Sequence, residues 1–184
     1  MKLTETPLKD CYLIEPKVIG DHRGYFMESF NKAKFYKQTG IELNVIQENQ
    51  SKSKKNVLRG LHFQSGDKAQ AKIVRVLQGE VLDVAVDIRK SSPSFGRHFS
   101  VMLSEENKKQ LYVPRGFAHG FLILSETAEF FYCVDNHYSP AHERGIKFND
   151  SAFNIDWKVD PNNLILSERD KNWPDFNPNL PDFE

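Results

Sequence analysis

The sequence predicts an all-β protein. Short runs rich in Val, Ile, Leu, Phe and Tyr recur along the chain, and each is bounded by Gly, Pro, Asn, Asp or Ser. One of these runs, residues 80–88, alternates in side-chain character as a strand does. Many short strands joined by hairpin turns leave two architectures open, an open sandwich or a jelly-roll barrel.

The predicted strands fill most of the first three quarters of the chain. In order they are residues 12–14, 25–30, 44–48, 57–64, 72–77, 80–88, 98–103, 111–113, 117–124 and 129–134. Residues 77–80 contain Gly79 and predict a hairpin turn. A strand with one drier face follows from the alternation of Leu82, Val84, Val86 and Ile88 with Val81, Asp83, Ala85 and Asp87.

Helical signals are confined to residues 31–38, with Asn31 as a cap and Gly40 just beyond the end. The tail after Asp156 carries four of the nine prolines and few apolar runs, so we expect it to wrap the surface. No internal repeat is evident, which disfavours solenoids and propellers. The length predicts a single domain over residues 1–184.

Composition narrows the function classes. The 25 basic residues balance the 25 acidic ones, so the net charge gives no reason to expect nucleic acid or a membrane as partner. The start of the chain lacks the apolar core of a signal peptide, and the apolar stretch at residues 120–124 is too short to cross a bilayer, so we expect a cytoplasmic protein. The two cysteines, Cys11 and Cys133, allow neither a disulfide framework nor a Cys-rich zinc site.

Residues 56–64 place a cation and an imidazole in one strand. Arg59 and His62 would face opposite sides of a regular strand, and Gly60 between them indicates a bulge that re-aims one of the two side chains. A single histidine in a strand is about as often a hydrogen-bonded core or rim residue as a functional one. The neighbouring motifs therefore decide how His62 is interpreted.

Residues 112–121 form a turn that feeds a second histidine-bearing strand, with His119 in it. Two histidines in a β-barrel suggest a metal site. However, Gln64 stands where the second histidine of a His-x-His pair would be, and an amide is a poor ligand for zinc or iron. Phosphate loops, dinucleotide fingerprints and Gly-x-Ser-x-Gly elbows are also missing from the sequence. We therefore expect no metal and no other cofactor.

Three further residues matter by their chemistry. Tyr132 shares a strand face with Phe130 and Val134, which is usual for a core tyrosine, but in a cavity its hydroxyl would be a proton donor. Lys72 opens a predicted strand and Asp170 lies in the tail. A solvated side chain is the default interpretation for both.

Five segments together resemble the dTDP-4-dehydrorhamnose 3,5-epimerase family. They are residues 20–26 (GDHRGYF), 47–51 (QENQS), 57–64 (VLRGLHFQ), 79–81 (GEV) with 86–89 (VDIR), and 114–121 (PRGFAHGF). Each is weak alone, but together they form a specific match that spans most of the chain. The resemblance implies a cupin-type jelly-roll β-barrel, no metal, a homodimer, a dTDP-sugar substrate and a place in making dTDP-L-rhamnose for lipopolysaccharide or other surface polysaccharide.

The resemblance also implies roles for individual residues. His62 corresponds to the general base, Asp170 to the acid that orients it, Tyr132 to the proton donor on the opposite face, and Lys72 to the residue beside the ketone oxygen. Arg23 corresponds to the contact with the diphosphate. The other implied substrate contacts are Phe26, Glu28, Gln47, Asn49, Arg59, His119 and Tyr138. His137 departs from the pattern of two adjacent tyrosines that many relatives have there.

These residue types suit the reaction. A hydrogen beside a ketone is acidic because its loss gives an enolate, and in a 4-keto sugar both C3 and C5 qualify. Inversion needs a base and a donor on opposite faces of the ring, with a cation at the oxygen.

A related cupin acting as a single-site epimerase or a 3,4-ketoisomerase would need nearly the same residues. A sugar-binding cupin without activity would tolerate the loss of His62, Tyr132 or Asp170, and all three are present.

Overall fold

Two antiparallel sheets pack face to face in a computed structural model that describes residues 1–179. In spatial order, the six-stranded sheet contains β1 (Lys2–Glu5), β2 (Tyr12–Glu15), β10 (Gln110–Val113), β7 (Lys72–Gln78), β12 (Thr127–Val134) and β5 (Gln47–Lys54). The five-stranded sheet contains β13 (Glu143–Gly145), β6 (Leu58–Gln64), β11 (Phe117–Ile123), β8 (Glu80–Asp87) and β9 (His98–Ser104). A separate hairpin is formed by β3 (Val18–Asp21) and β4 (Gly24–Met27). The arrangement is a jelly-roll barrel, as predicted.

The core between the sheets draws on both of them. Val74 and Phe130 from the six-stranded sheet are buried together with Ala85 and Phe121 from the five-stranded sheet. The Phe121 and Phe130 rings stack with centroids 3.8 Å apart and an interplanar angle of 11°. This contact joins the two sheets, and burial of each large side chain contributes roughly 1.5–3 kcal/mol.

Strand β8 is buried on both faces, which corrects the prediction of one drier face. Val81 and Ala85 point into the core between the sheets. Leu82, Val84 and Val86 belong to a second apolar cluster on the outer side of the five-stranded sheet. The tail supplies the cover of this outer cluster, including Trp157, Leu164, Leu166 and Phe176. The predicted wrapping tail is therefore a layer of the core as well as a surface element.

Helix α1 (Lys32–Thr39) covers the outer face of the six-stranded sheet and has the predicted caps. The Asn31 side chain accepts a hydrogen bond from the Lys34 N–H, and Gly40 adopts a left-handed conformation at the other end. Its Phe35 is fully buried, with its ring centroid 5.0 Å from that of Tyr112 in β10. A second, four-residue helix, α2 (Glu168–Lys171), lies in the tail. Within residues 1–179, no helix combines the length and apolarity needed to cross a membrane.

Several strand bounds differ from the predictions. The strand predicted at residues 44–48 runs instead from Gln47 to Lys54, and the one predicted at 25–30 is the shorter β4. Strands β1, β3 and β13 were not predicted. Within residues 1–179, strand β5 is an edge strand that pairs with β12 alone. Most of its side chains are polar and exposed, so its sequence carries no apolar alternation.

Candidate active site

A cavity of about 330 Å³ opens between the two sheets and is called the barrel cavity here. Its lining consists of Asn49, Gln50, Ser51, Arg59, His62, Lys72, His119, Phe121, Phe130, Tyr132, Glu143 and Arg169. A second cavity of about 440 Å³, lined by Phe30, Arg75 and Phe131 among others, contains none of the residues predicted to be catalytic. The predicted catalytic residues His62, Lys72 and Tyr132 therefore line the barrel cavity.

The five-stranded sheet contributes the wall that carries the two histidines. His62 on β6 lies directly opposite His119 on β11, and Arg59 lies opposite Phe121. Three steps along β6 thus match two along β11, which is a bulge. The bulge predicted at Gly60 is confirmed, and it brings Arg59 and His62 to the same cavity.

The six-stranded sheet contributes the facing wall. Tyr132 on β12 lies between Asn49 on β5 and Val74 on β7 in the strand register. Lys72 begins β7 and pairs with Val134. Both Tyr132 and Lys72 line the cavity. The candidate base, His62, and the candidate donor, Tyr132, therefore come from opposite sheets and face one cavity.

His62 is joined to a buried carboxylate from the tail. Its Nε2 hydrogen-bonds to Oδ1 of Asp170, which is only 3% exposed. The Ser167 hydroxyl donates to the other carboxylate oxygen at 2.7 Å, and the Asp170 N–H donates back to Ser167 at 3.1 Å. Burial raises the pKa of Asp170, but the hydrogen bonds from His62 and Ser167 outweigh it and the pKa lies below its ordinary value. An ionised Asp170 holds the proton of His62 on Nε2 and leaves the lone pair on Nδ1.

The two groups on the facing wall have pKa values shifted by burial. Burial raises the pKa of the Tyr132 hydroxyl, and the nearby Arg59 charge only partly opposes it. Tyr132 is therefore protonated at neutral pH and can donate. Burial lowers the pKa of Lys72 to about 8, although Asp83 and Glu143 pull the other way. Lys72 is therefore mostly cationic at pH 7, in a site where a charge acts more strongly than in water.

Glu143 and Arg169 were missed by the sequence reasoning. The Tyr138 hydroxyl and Arg169 Nη1 both donate to Oε2 of Glu143, at 2.8 and 2.6 Å. Glu143 lies in a three-residue strand that gave no sequence signal. The only sequence signal for Arg169 was its position next to Asp170, a predicted site residue. Tyr138 thus reaches the cavity through Glu143. Gln50, Ser51, Phe121 and Phe130 are the other lining residues that the sequence did not predict.

The structure does not bring Arg23, Phe26 and Glu28 to the barrel cavity. Arg23 pairs with Asp21 at 2.6 Å in the β3–β4 hairpin, and Phe26 is 68% exposed on the same hairpin. Glu28 accepts a hydrogen bond from Lys34 at 2.7 Å. Gln47 does not line the cavity either, although its side chain donates to Asn49, which does.

Gln64 has a partner of its own. Its side-chain oxygen accepts a hydrogen bond from the Ser139 N–H at 2.9 Å, and the residue is buried. The amide is therefore committed to holding the turn near Ser139. Among residues 1–179, no three His, Cys, Asp or Glu side chains form a group that could hold a metal ion.

Comparison with known proteins decides the family. A family model described as dTDP-4-dehydrorhamnose 3,5-epimerase matches residues 5–178. The chain belongs to this family. A member from Shigella flexneri is 52% identical over 176 residues, which is 96% of each chain. The family enzyme from Elizabethkingia anophelis has a crystal structure with a TM-score of 0.93 and 56% identity, covering 96% of each chain.

A further crystal structure in the family contains a bound ligand. The dTDP-6-deoxy-D-glucose-3,5-epimerase of Legionella pneumophila was crystallised with dTDP-4-keto-L-rhamnose. It has a TM-score of 0.91 and 44% identity, and it covers 98% of this chain and 94% of its own.

Proposed function

We propose that this protein epimerises C3 and C5 of dTDP-4-dehydro-6-deoxy-D-glucose, giving dTDP-4-dehydro-L-rhamnose without a cofactor. The observation that carries the proposal is the placement of His62 and Tyr132 on opposite sheets across the barrel cavity. Two inversions beside one ketone need a base on one side of the sugar ring and a donor on the other. The proposal includes a cytoplasmic location and the role in surface-polysaccharide synthesis.

His62 performs the first half of each inversion. Its Nδ1 lone pair removes the proton from carbon, and the C–H bonding electrons form the double bond to C4 as the ketone oxygen becomes an enolate. The imidazolium that results is stabilised by the ionised Asp170, which accepts from Nε2. A positioned base of this kind accelerates such a step by about 10²–10⁴-fold.

Lys72 and Tyr132 perform the second half. The Lys72 ammonium stabilises the enolate oxygen while the charge resides there. Tyr132 then delivers its hydroxyl proton to the opposite face of the same carbon, and the enolate electrons form the new C–H bond. The phenolate regains a proton from the solvent as His62 releases one. The same pair of groups serves C3 and C5, since both carbons adjoin the C4 ketone.

We also propose that the protein is a homodimer whose hairpins complete each other's sites. The β3–β4 hairpin exposes Ile19, Tyr25 and Phe26, which are 57%, 57% and 68% exposed, and it carries Arg23. An apolar hairpin that carries an exposed arginine and lies away from its own cavity suits a contact with a second copy of the chain. Arg23 would then bind the diphosphate in the partner's site.

A mixing experiment tests this arrangement. Chains carrying Arg23→Ala and chains carrying His62→Ala are each expected to be inactive. After they are unfolded and refolded together, half of the dimers are mixed, and each mixed dimer has one site with both residues intact. About a quarter of the wild-type activity should return, as two-fold symmetry requires. Failure to recover activity, with mixed dimers shown by mass spectrometry, would contradict the exchange of hairpins.

Exchange with solvent tests the reaction itself. The protein is incubated with dTDP-4-dehydro-6-deoxy-D-glucose in deuterated water, and the product is analysed by NMR. We expect deuterium at both C3 and C5 in a product with inverted configuration at both carbons. Deuterium at one carbon only would indicate a single-site epimerase. Transfer of the keto group to C3 would indicate a 3,4-ketoisomerase.

A further inference from the structure

Trp173 lies beside His62 without lining the barrel cavity. Its ring centroid is 5.9 Å from that of the imidazole, and the planes meet at 67° in an edge-on contact. It belongs to the tail, three residues after Asp170. The tail thus approaches His62 twice, once with a carboxylate and once with an indole.

The indole of Trp173 packs against Gly145. Gly145 on β13 is the strand partner of His62 on β6, so it lies directly next to the base. A Cβ atom placed on Gly145 would lie 2.3 Å from Cδ2 and Cε2 of Trp173, which no real contact allows. The indole therefore occupies the space that any other residue at position 145 would fill with its own side chain.

The neighbouring backbone holds the indole in that place. The Lys147 N–H donates to the carbonyl of Pro174 at 3.0 Å, directly after the tryptophan. Two residues further on, the Phe176 N–H donates to the buried Asp150 at 2.5 Å. These two bonds fix the tail, directly after the indole, to the chain that follows β13.

Hydrogen bonding of the indole does not explain its position. Its Nε1 is buried and has no hydrogen-bond partner among the described residues. A buried donor without an acceptor costs free energy, so Nε1 by itself disfavours this position of the indole. The ring contributes its contacts with His62 and with the backbone of Gly145.

We propose that Trp173 is a positioning residue for the reaction, holding the His62 ring in the orientation that keeps its hydrogen bond to Asp170. The inference rests on the proposed role of His62 as the base. The indole edge restricts rotation of the imidazole and keeps water from that side of the pair. Because Trp173 does not line the cavity, its loss should lower kcat and leave KM nearly unchanged.

Matched variants separate positioning from stability. We expect Trp173→Ala to lower kcat and the rate of deuterium exchange at C3 and C5 at least about tenfold, with KM within about twofold of wild type. Trp173→Phe keeps an aromatic edge and should recover most of the activity. Phe176→Ala truncates another aromatic residue of the same tail, whose ring centroid lies 4.8 Å from that of Phe153, and it should keep wild-type exchange.

Two double variants locate the effect. In an Asp170→Asn background, adding Trp173→Ala should lower kcat by less than a further factor of about two. The effects of residues that act through one contact are not additive. Gly145→Ala should reproduce the kcat loss by displacing the indole, and combining it with Trp173→Ala should add no further loss.

The outcomes distinguish the two proposals. Loss of exchange in Trp173→Ala with rescue by Trp173→Phe supports the inference. Normal exchange in Trp173→Ala, an equal loss in Phe176→Ala, or full additivity with Asp170→Asn would overturn it while wild type remains active. Absence of exchange in the wild-type protein would overturn the proposed function itself.

Discussion

Nε2 of His119 lies 3.0 Å from both carboxylate oxygens of Asp83, whose side chain is fully buried inside the barrel. The carboxylate fixes the imidazole of His119, as Asp170 fixes that of His62. Burial lowers the pKa of the Lys72 ammonium, and the negative charge of Asp83 opposes that effect. One buried carboxylate thus supports two groups that line the barrel cavity.

We predict that Asp83→Asn will shift the alkaline limit of activity to lower pH. Burial lowers the pKa of Lys72 to about 8 and the Asp83 charge opposes that effect, so removing the charge should lower the pKa further. The profile of kcat/KM against pH measures this shift. Asp87→Asn is the matched control, because Asp87 is equally buried on β8 but pairs with Arg89. A shift of equal size in the control would contradict the role of Asp83.

The charge on Lys72 should limit activity on the alkaline side. The ammonium is present below its pKa of about 8 and is lost as the pH rises through that value, so kcat/KM should fall there. Lys72→Gln should lower kcat about 10²-fold and remove this limb. Tyr132 does not explain a limb near 8, because burial raises its pKa above the ordinary value. A limb that persists in Lys72→Gln would show that another group titrates there.

Gly60 should tolerate no side chain. Its φ is +130°, and an added Cβ would lie 2.5 Å from Cα of Gly120 and 2.8 Å from the carbonyl oxygen of His119. We expect Gly60→Ala to lower the free energy of unfolding by about 3 kcal/mol or more, measured by urea denaturation. Gly24 has the same φ with nothing within 4 Å, so Gly24→Ala reports the backbone cost alone, about 1–2 kcal/mol. Equal losses in the two variants would contradict the close approach of β6 and β11.

The sequence was most informative where local rules decide the structure. The caps at Asn31 and Gly40 and the bulge at Gly60 follow from the chemistry of single residues, and all three were predicted correctly. The alternation in β8 was also real. Its interpretation as one drier face was wrong because the apolar cover of the second face comes from the tail, some seventy residues further along the chain.

The limits of prediction at the site have a similar cause. Glu143 meets the cavity through a three-residue strand, and such a short element carries no periodicity. The contact between Trp173 and Gly145 joins a tail residue to a strand residue, and no spacing rule connects them. Arg23 and Phe26 were predicted as ligand contacts, and within one chain they lie on the β3–β4 hairpin outside the barrel cavity. Only the proposed homodimer would bring them to a cavity, and one chain's sequence carries no signal of how two chains associate.

Deuterium exchange in two single variants tests the central claim most directly, namely that His62 and Tyr132 act on opposite faces of the sugar. His62→Ala should abolish exchange at both C3 and C5, with a loss of at least about 10²-fold. Tyr132→Phe removes only the donor, so the enolate should still form and protonated His62 should return a deuteron to the original face. That variant should label the substrate while forming little inverted sugar. Epimerisation by Tyr132→Phe at the wild-type rate, or free exchange in His62→Ala, would contradict the account.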